Sequence, residues 1–304
     1  MDELRFDDRV AVITGGGRGL GRAHALLLAS RGARVVIADV GAELDGSGAS
    51  DGPAEDVVEE IRENGGDAVA CIASVAEEAA AASIIETALN AFGRVDVLVN
   101  NAGISDKHRF EELSTEQFRR MIDIHYFGTL LTTKAAWPHF LEAGYGRVVN
   151  TTSEAILGEI PDLTSYGSAK GAVWALTKNL AIEAAGRGIQ VNAIAPRGNT
   201  RMAQEGKSKL KAGLAIDAQV IEKSLAEMRP ELVSPAVAFL AHESCPLNGE
   251  VLQVGSGLVS RLAVIHTQGI SRPDLTPEDI VANLDTILDP TAAQVRDVKP
   301  FSPM

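Results

Sequence analysis

Seven short runs rich in β-branched residues, separated by longer stretches with apolar residues at helical spacing, predict an α/β fold. The expected architecture is a doubly wound, seven-stranded parallel sheet with helices on both faces. Composition agrees: 45% of the chain is hydrophobic but only 4% aromatic, the aliphatic balance of a parallel sheet wrapped by alanine-rich helices. Strict alternation of strand and helix along 304 residues points the same way, because parallel neighbours need right-handed helical crossovers.

The expected strands are "RVAVIT" (9–14), "ARVVIAD" (33–39), "DAVACIA" (67–73), "RVDVLVN" (94–100), "GRVVNTT" (146–152), "IQVNAIA" (189–195) and "EVLQVG" (250–255). Between them lie helical patterns such as "GLGRAHALLLASRG", "AEDVVEEIRENGG", "VAEEAAAASIIETALNAFG", "TEQFRRMIDIHYFGTLLTTKAAWPHFLEAG" and "SAKGAVWALTKNLAIEAAGRG". Three segments break this rhythm: a Gly/Ser/Asp-rich loop at 41–53, a partly charged insertion at 198–230, and the tail after the seventh strand. These bound one domain over 1–260, which includes a lid near 198–230, and a C-terminal extension over 261–304. In that extension Thr276 reads as an N-cap, Pro277 as the first helical residue and Asp279 as the capping-box partner. One helix is expected there, packed on the same domain or on a neighbouring subunit.

A formal net charge of -13 argues against a nucleic-acid partner. No stretch has the length of a membrane span, and "MDELRFDDRVAVITGG" has neither a basic start nor an apolar run of signal-peptide type. The chain ends in "FSPM", which does not read as a peroxisomal or reticulum-retention address. A cytoplasmic protein acting on a small molecule is the expectation. Cys71 and Cys245 share no metal-ligand spacing, so neither a disulfide nor a metal site is expected.

"TGGGRGLGR" (14–22) follows the first strand and opens the first helix, so Gly15, Gly17, Arg18, Gly19, Leu20 and Gly21 would face a pyrophosphate with backbone amides and a helix N-terminus. Asp39 closes the second strand eighteen residues past Gly21. This is the position from which a carboxylate accepts both adenosine ribose hydroxyls and repels a 2′-phosphate, which favours NAD over NADP. Arg18 faces the other way electrostatically: its guanidinium either pairs with a 2′-phosphate or stays solvated beside the pyrophosphate. "NNAG" (100–103) would line the cofactor floor with Asn101, Ala102 and Gly103. Ser153 ends the fifth strand, thirteen residues before Tyr166, and Tyr166 stands four residues before Lys170 on one helix face.

These motifs, in this order on successive strand ends, resemble the short-chain dehydrogenase/reductase family over roughly residues 5–260. The resemblance implies a Rossmann-type fold in which Tyr166 is the general acid/base, Ser153 hydrogen-bonds the substrate oxygen, and Lys170 binds the nicotinamide ribose and favours the phenolate. It also marks two departures. His125, in "IDIHYFG", takes the place of the usual asparagine, as a proton-relay member or as simple packing. "APRGNTRM" replaces the usual Pro-Gly, which leaves Pro196, Gly198, Asn199 and Thr200 to hold the nicotinamide end, with Thr200 as the carboxamide partner.

Within the family, "TALNAFGRVDVLVNNAGI", "AAWPHF", "YGRVVNTTS", "IAPRGNTRM", "LAHESCPLNGEVLQVGSG" and "TPEDIVAN" are similar to the (3R)-hydroxyacyl-CoA dehydrogenase module of the multifunctional β-oxidation enzymes, also described as 17β-hydroxysteroid dehydrogenases. That likeness implies NAD as cofactor, adenine contacts from Ser74 and Val75, and a homodimer or homotetramer. Ala73 leaves no carboxylate ahead of them for the adenine amino group. A hydroxysteroid dehydrogenase that uses no CoA is the alternative enzyme, and a dinucleotide sensor that keeps the fold is the alternative from another class. Lys207, Lys209 and Lys211 in the insertion are either a solvated face or a phosphate-binding cluster for CoA.

Overall fold

The computed structural model describes residues 3–43, 45–201 and 227–295. Most of the insertion expected as a lid, with Lys207, Lys209 and Lys211, lies outside the described residues. The elements run β1 (Val10–Thr14), α1 (Gly19–Ser30), β2 (Arg34–Ala38), α2 (Gly52–Glu63), β3 (Ala68–Cys71), α3 (Glu78–Phe92), β4 (Val97–Asn100), α4 (Thr115–Ile122), α5 (Gly128–Ala143), β5 (Gly146–Thr151), α6 (Thr164–Ala184), β6 (Ile189–Arg197), α7 (Ser234–Ala241), β7 (Val251–Gly255) and β8 (Leu258–Arg261). The sheet order is β3-β2-β1-β4-β5-β6-β7-β8. The first seven strands are parallel and six of them fall inside the expected runs; β6 extends two residues past its run, to Arg197, and β8 adds an antiparallel edge through the short turn after Gly255. Sequence reading missed β8 because its residues are largely exposed and carry no alternating pattern.

Alternation of side chains along each strand explains the two-sided core. Ala11, Ile13, Val35, Ile37, Val97 and Val99 meet helices α1, α2 and α7 on one face. Val10, Val12, Val36, Leu98, Val148 and Val191 meet α3, α5 and α6 on the other. Phe140 of α5 is fully buried in that second layer, worth about 1.5–3 kcal/mol by area alone. A Cβ on Gly146 would lie 2.5 Å from its ring, so the tight start of β5 depends on that glycine.

Strand order reverses between β1 and β4, and the crevice beyond their carboxyl ends is the standard ligand position of such sheets. The motifs at 14–22 and 100–103 both open onto it. The run expected as one long helix over 115–144 is instead α4 and α5 joined by a π-helical turn, Asp123–Phe127, with His125 inside it. Such turns move a side chain out of the regular helical phase, a frequent device at functional sites.

The tail also differs from expectation. Thr276 and Asp279 form the capping box, but Asn283 ends the helix Pro277–Ala282 and a second short helix, Leu284–Leu288, follows. A two-stranded ribbon pairs Ile265–His266 with Gln294–Val295. Cys71 and Cys245 are buried and unpaired. No helix among the described residues is long and apolar enough to cross a membrane.

Candidate active site

The glycine turn is built by close approach. Gly15 has φ +62°, and a Cβ on Gly21 would lie 2.0 Å from its carbonyl oxygen, so α1 starts directly on the strand end only because both lack side chains. Asn101 holds the same turn from the neighbouring strand: its amide donates to the carbonyls of Thr14 at 3.1 Å and Gly15 at 3.0 Å. The Thr14 hydroxyl in turn accepts the backbone N–H groups of Asn101 and Ala102. Below, Asn100, Thr132, Thr133, Asn150 and Thr177 form a buried hydrogen-bonded chain that links β4, β5, α5 and α6. A satisfied network of this kind fixes the strand ends that carry the site.

Asp39 sits just past β2. Its carboxylate accepts the backbone N–H of Gly17 at 2.9 Å and of Gly41 at 2.7 Å, and still lines the cavity. Arg18 donates to the Ala42 carbonyl at 3.2 Å. Arg201 reaches the same carbonyl at 3.5 Å and pairs with Glu43 at 3.3 Å. The Gly/Ser/Asp-rich loop is therefore clasped to the segment after β6, and Gly46 packs close to Ile104 and Ile124.

At the other end of the crevice, the first helical turns of α6 set Tyr166 and Lys170 on one face. The Lys170 ammonium donates to the Thr151 carbonyl at 2.7 Å and lies 5.6 Å from the Tyr166 ring centroid. Burial pushes the Tyr166 phenol up to about 12, partly offset by a hydrogen bond with the Ser153 side chain. The Ser153 hydroxyl also accepts the Ala155 N–H at 3.1 Å, which fixes its direction. Burial likewise pushes Lys170 down to about 7. The resemblance implied an ammonium that favours the phenolate. In the protein alone, loss of water around both groups sets the shifts, so each leans toward its neutral form.

His125 is buried, and its ring stands edge-on to Tyr166 with centroids 5.2 Å apart. Its Nε2 meets the Ile104 backbone, 3.2 Å from the N–H and 3.0 Å from the carbonyl. Its Nδ1 is buried without a partner among the described residues. Burial first, then the charge of Lys170, hold its pKa well below the ordinary histidine value, against the Ile104 backbone contact. With its proton on Nε2 the neutral ring donates to the Ile104 carbonyl, and with its proton on Nδ1 it accepts the Ile104 N–H; in either tautomer the buried Nδ1 calls for a water. A Cβ on Gly103 would lie 2.4 Å from the ring, which gives the last residue of "NNAG" a packing role.

All of this surrounds one cavity of about 710 Å³. Of the residues expected from sequence, Gly15, Arg18, Gly19, Leu20, Asp39, Ser74, Val75, Asn101, Ala102, Gly103, His125, Tyr166, Lys170, Pro196, Gly198 and Thr200 line it. Gly17 and Gly21 stand behind the wall as turn-formers, and the Asn199 N–H is turned to the Met228 carbonyl at 2.5 Å. Ser74 accepts the Ala76 N–H. A dinucleotide fits these residues: Gly19, at φ +52°, leaves open space where its Cβ would approach only Thr200, at 3.4 Å. Glu43, Glu154, Arg197 and Arg201 also line the cavity, although no local pattern singles them out. Their partners are 43 and 158 residues away in sequence.

Comparison with known proteins agrees with this geometry. The family model described as short chain dehydrogenase matches residues 9–211. A short-chain type dehydrogenase/reductase of Mycobacterium tuberculosis is 42% identical over 294 residues, 96% of this chain and 98% of the relative. Peroxisomal multifunctional enzyme type 2 of Drosophila melanogaster is 40% identical over 275 residues, covering 90% of this chain but only 43% of that enzyme. A 7α-hydroxysteroid dehydrogenase, solved with NADH and 7-oxo glycochenodeoxycholic acid, superposes with a TM-score of 0.71 at 30% identity, over 84% of this chain and 98% of that one. With its sheet order, glycine turn and Ser-Tyr-Lys arrangement, the chain belongs to the short-chain dehydrogenase family.

Proposed function

We propose that this protein is an NAD-dependent dehydrogenase that interconverts a secondary alcohol and a ketone, with a 3-hydroxyacyl-CoA thioester as substrate. The observation that carries the reading is that Tyr166 and Lys170 line one end of the crevice that has the glycine turn and Asp39 at its other end, with Ser153 hydrogen-bonded to the Tyr166 phenol. NAD, when bound, supplies the hydride acceptor. The chain's own residues handle orientation and the proton. Ser153 holds the substrate oxygen, Tyr166 takes its proton on oxidation and returns it on reduction, and Lys170, tethered to Thr151, is placed to hold the cofactor ribose. A neutral His125 on the far side of Tyr166, with an unpartnered Nδ1, is suited to pass that proton on through a water.

Asp39 supports NAD over NADP, because a carboxylate beside the ribose repels a 2′-phosphate. The multifunctional relative supports the thioester, although this chain spans less than half of its length. The bile-acid derivative bound by the structural neighbour favours a second reading, a hydroxysteroid dehydrogenase. A spectrophotometric panel separates them: NADH formation with (3R)-hydroxyacyl-CoA thioesters, hydroxysteroids and simple secondary alcohols. Preference for a sterol alcohol over every thioester would replace the first reading with the second. No turnover on any of them would leave a dinucleotide sensor.

A further inference from the structure

Arg197 stands where the family resemblance expects a glycine, and it binds the residue that directly follows Ser153. Its Nε donates to Glu154 Oε1 at 3.1 Å and Oε2 at 2.9 Å, and its Nη2 to Oε2 at 2.5 Å. This two-pronged grip leaves Nη1 without a hydrogen-bond partner among the described residues. Gln253 of β7 adds a third donor to the carboxylate at 2.6 Å, and Ser260 of β8 contacts Gln253 at 3.4 Å. The pair is thus braced by the antiparallel edge of the sheet. Both members line the cavity, and the Arg197 side chain keeps 47% exposure. Such a braced pair can steady the sheet edge, but an arginine left this exposed at a cavity wall also keeps donor capacity for a bound molecule.

Charge and placement suggest a different role. The Glu154 carboxylate repels any free carboxylate brought next to Ser153. The Arg197 guanidinium, with its charge compensated, still offers directional donors, which suit a neutral carbonyl oxygen better than an anion. In a 3-hydroxyacyl thioester such a carbonyl lies two carbons from the hydroxyl that Ser153 would hold. We propose that the Glu154–Arg197 pair reads this acyl carbonyl and selects a neutral 3-hydroxyacyl thioester over the free 3-hydroxy acid. The inference rests on the function proposed above and names the part of the substrate that the site recognises.

The test uses three substrates of equal chain length with NAD: the pantetheine thioester of a 3-hydroxy acid, the free acid, and a 2-alkanol. Arg197→Ala should lower the kcat/KM ratio of thioester to alkanol by about tenfold, chiefly through KM, with Arg197→Lys in between. Glu154→Gln should raise the ratio of free acid to thioester by about tenfold, since it removes the repulsion and leaves the arginine charged. Ratios keep the readout independent of any general loss of folded enzyme. If the wild type prefers the thioester and both ratios stay unchanged in the variants, the pair is only structural. If the wild type shows no preference for the thioester over the alkanol, the functional reading itself fails, and this inference with it.

Discussion

The Asp39 carboxylate accepts the backbone N–H of Gly17 at 2.9 Å, which ties the end of the second strand to the glycine turn that ends the first. One side chain therefore shapes the turn and sets the charge at that end of the cavity. Asp39→Ala should narrow the preference for NAD over NADP and also loosen the turn. Loss of a charge-assisted hydrogen bond costs about 1.5–3 kcal/mol, so the Kd for NAD should rise by at least about tenfold. Calorimetry with both cofactors checks it. A wild type that already prefers NADP would make Arg18, now bonded to the Ala42 carbonyl, the discriminator instead.

Tyr166→Phe removes the proton-transfer group and keeps the ring that packs on His125. Turnover should fall by about 100-fold or more, the scale of positioned acid/base catalysis, while NAD binding stays close to wild type. Single-turnover kinetics would show the loss in the chemical step. Normal turnover would remove Tyr166 from the mechanism.

Alcohol oxidation should accelerate as pH rises, because burial raises the Tyr166 pKa to about 12 and oxidation needs the phenolate. Lys170 gives an independent check through stability. Its folded pKa, about 7, lies below the ordinary 10.5, so between those values the unfolded chain binds the extra proton. Stability without cofactor should therefore rise with pH across that window and decline as pH falls through about 7. Lys170→Met should abolish this slope, and should be more stable than wild type near neutral pH but inactive. Denaturant melts at several pH values measure it; an unchanged slope in the variant would contradict the assignment to Lys170.

His125 acts through Tyr166 and a water in the proposed scheme, so its removal should alter proton transfer more than binding. His125→Ala is expected to lower kcat by about tenfold and leave the KM for NAD unchanged. His125→Asn, the residue usual in the family, should recover most of the rate. Equal losses in both variants, with no change in the pH profile, would reduce His125 to packing against Gly103 and Tyr166.

Self-association is expected through the exposed faces of α5 and α6. Leu141 and Ile182 each remain more than 40% exposed, as does Phe127 just ahead of α5. Apolar surface of this kind on parallel-sheet proteins suits a two-fold contact between copies. Light scattering at micromolar concentration should show at least a dimer, and Ile182→Glu should weaken it. A monomer at that concentration would refute the expectation.

The amino-acid sequence by itself determined the seven parallel strands, the glycine turn, Asp39 and the Ser153-Tyr166-Lys170 set, because each is written in local terms: β-branched runs, a turn that only glycine permits, and a spacing of one helical turn. Tertiary structure alone decided what those residues meet. The π-helical turn that aims His125 at Tyr166, the hydrogen bond of Gln253 to Glu154, and the pairs Glu154–Arg197 and Glu43–Arg201 join segments far apart in sequence. No local pattern encodes such partners. The protonation balance of Tyr166 and Lys170 is likewise a product of the fold, since spacing sets which groups are neighbours while the depth of burial sets how strongly each resists charge.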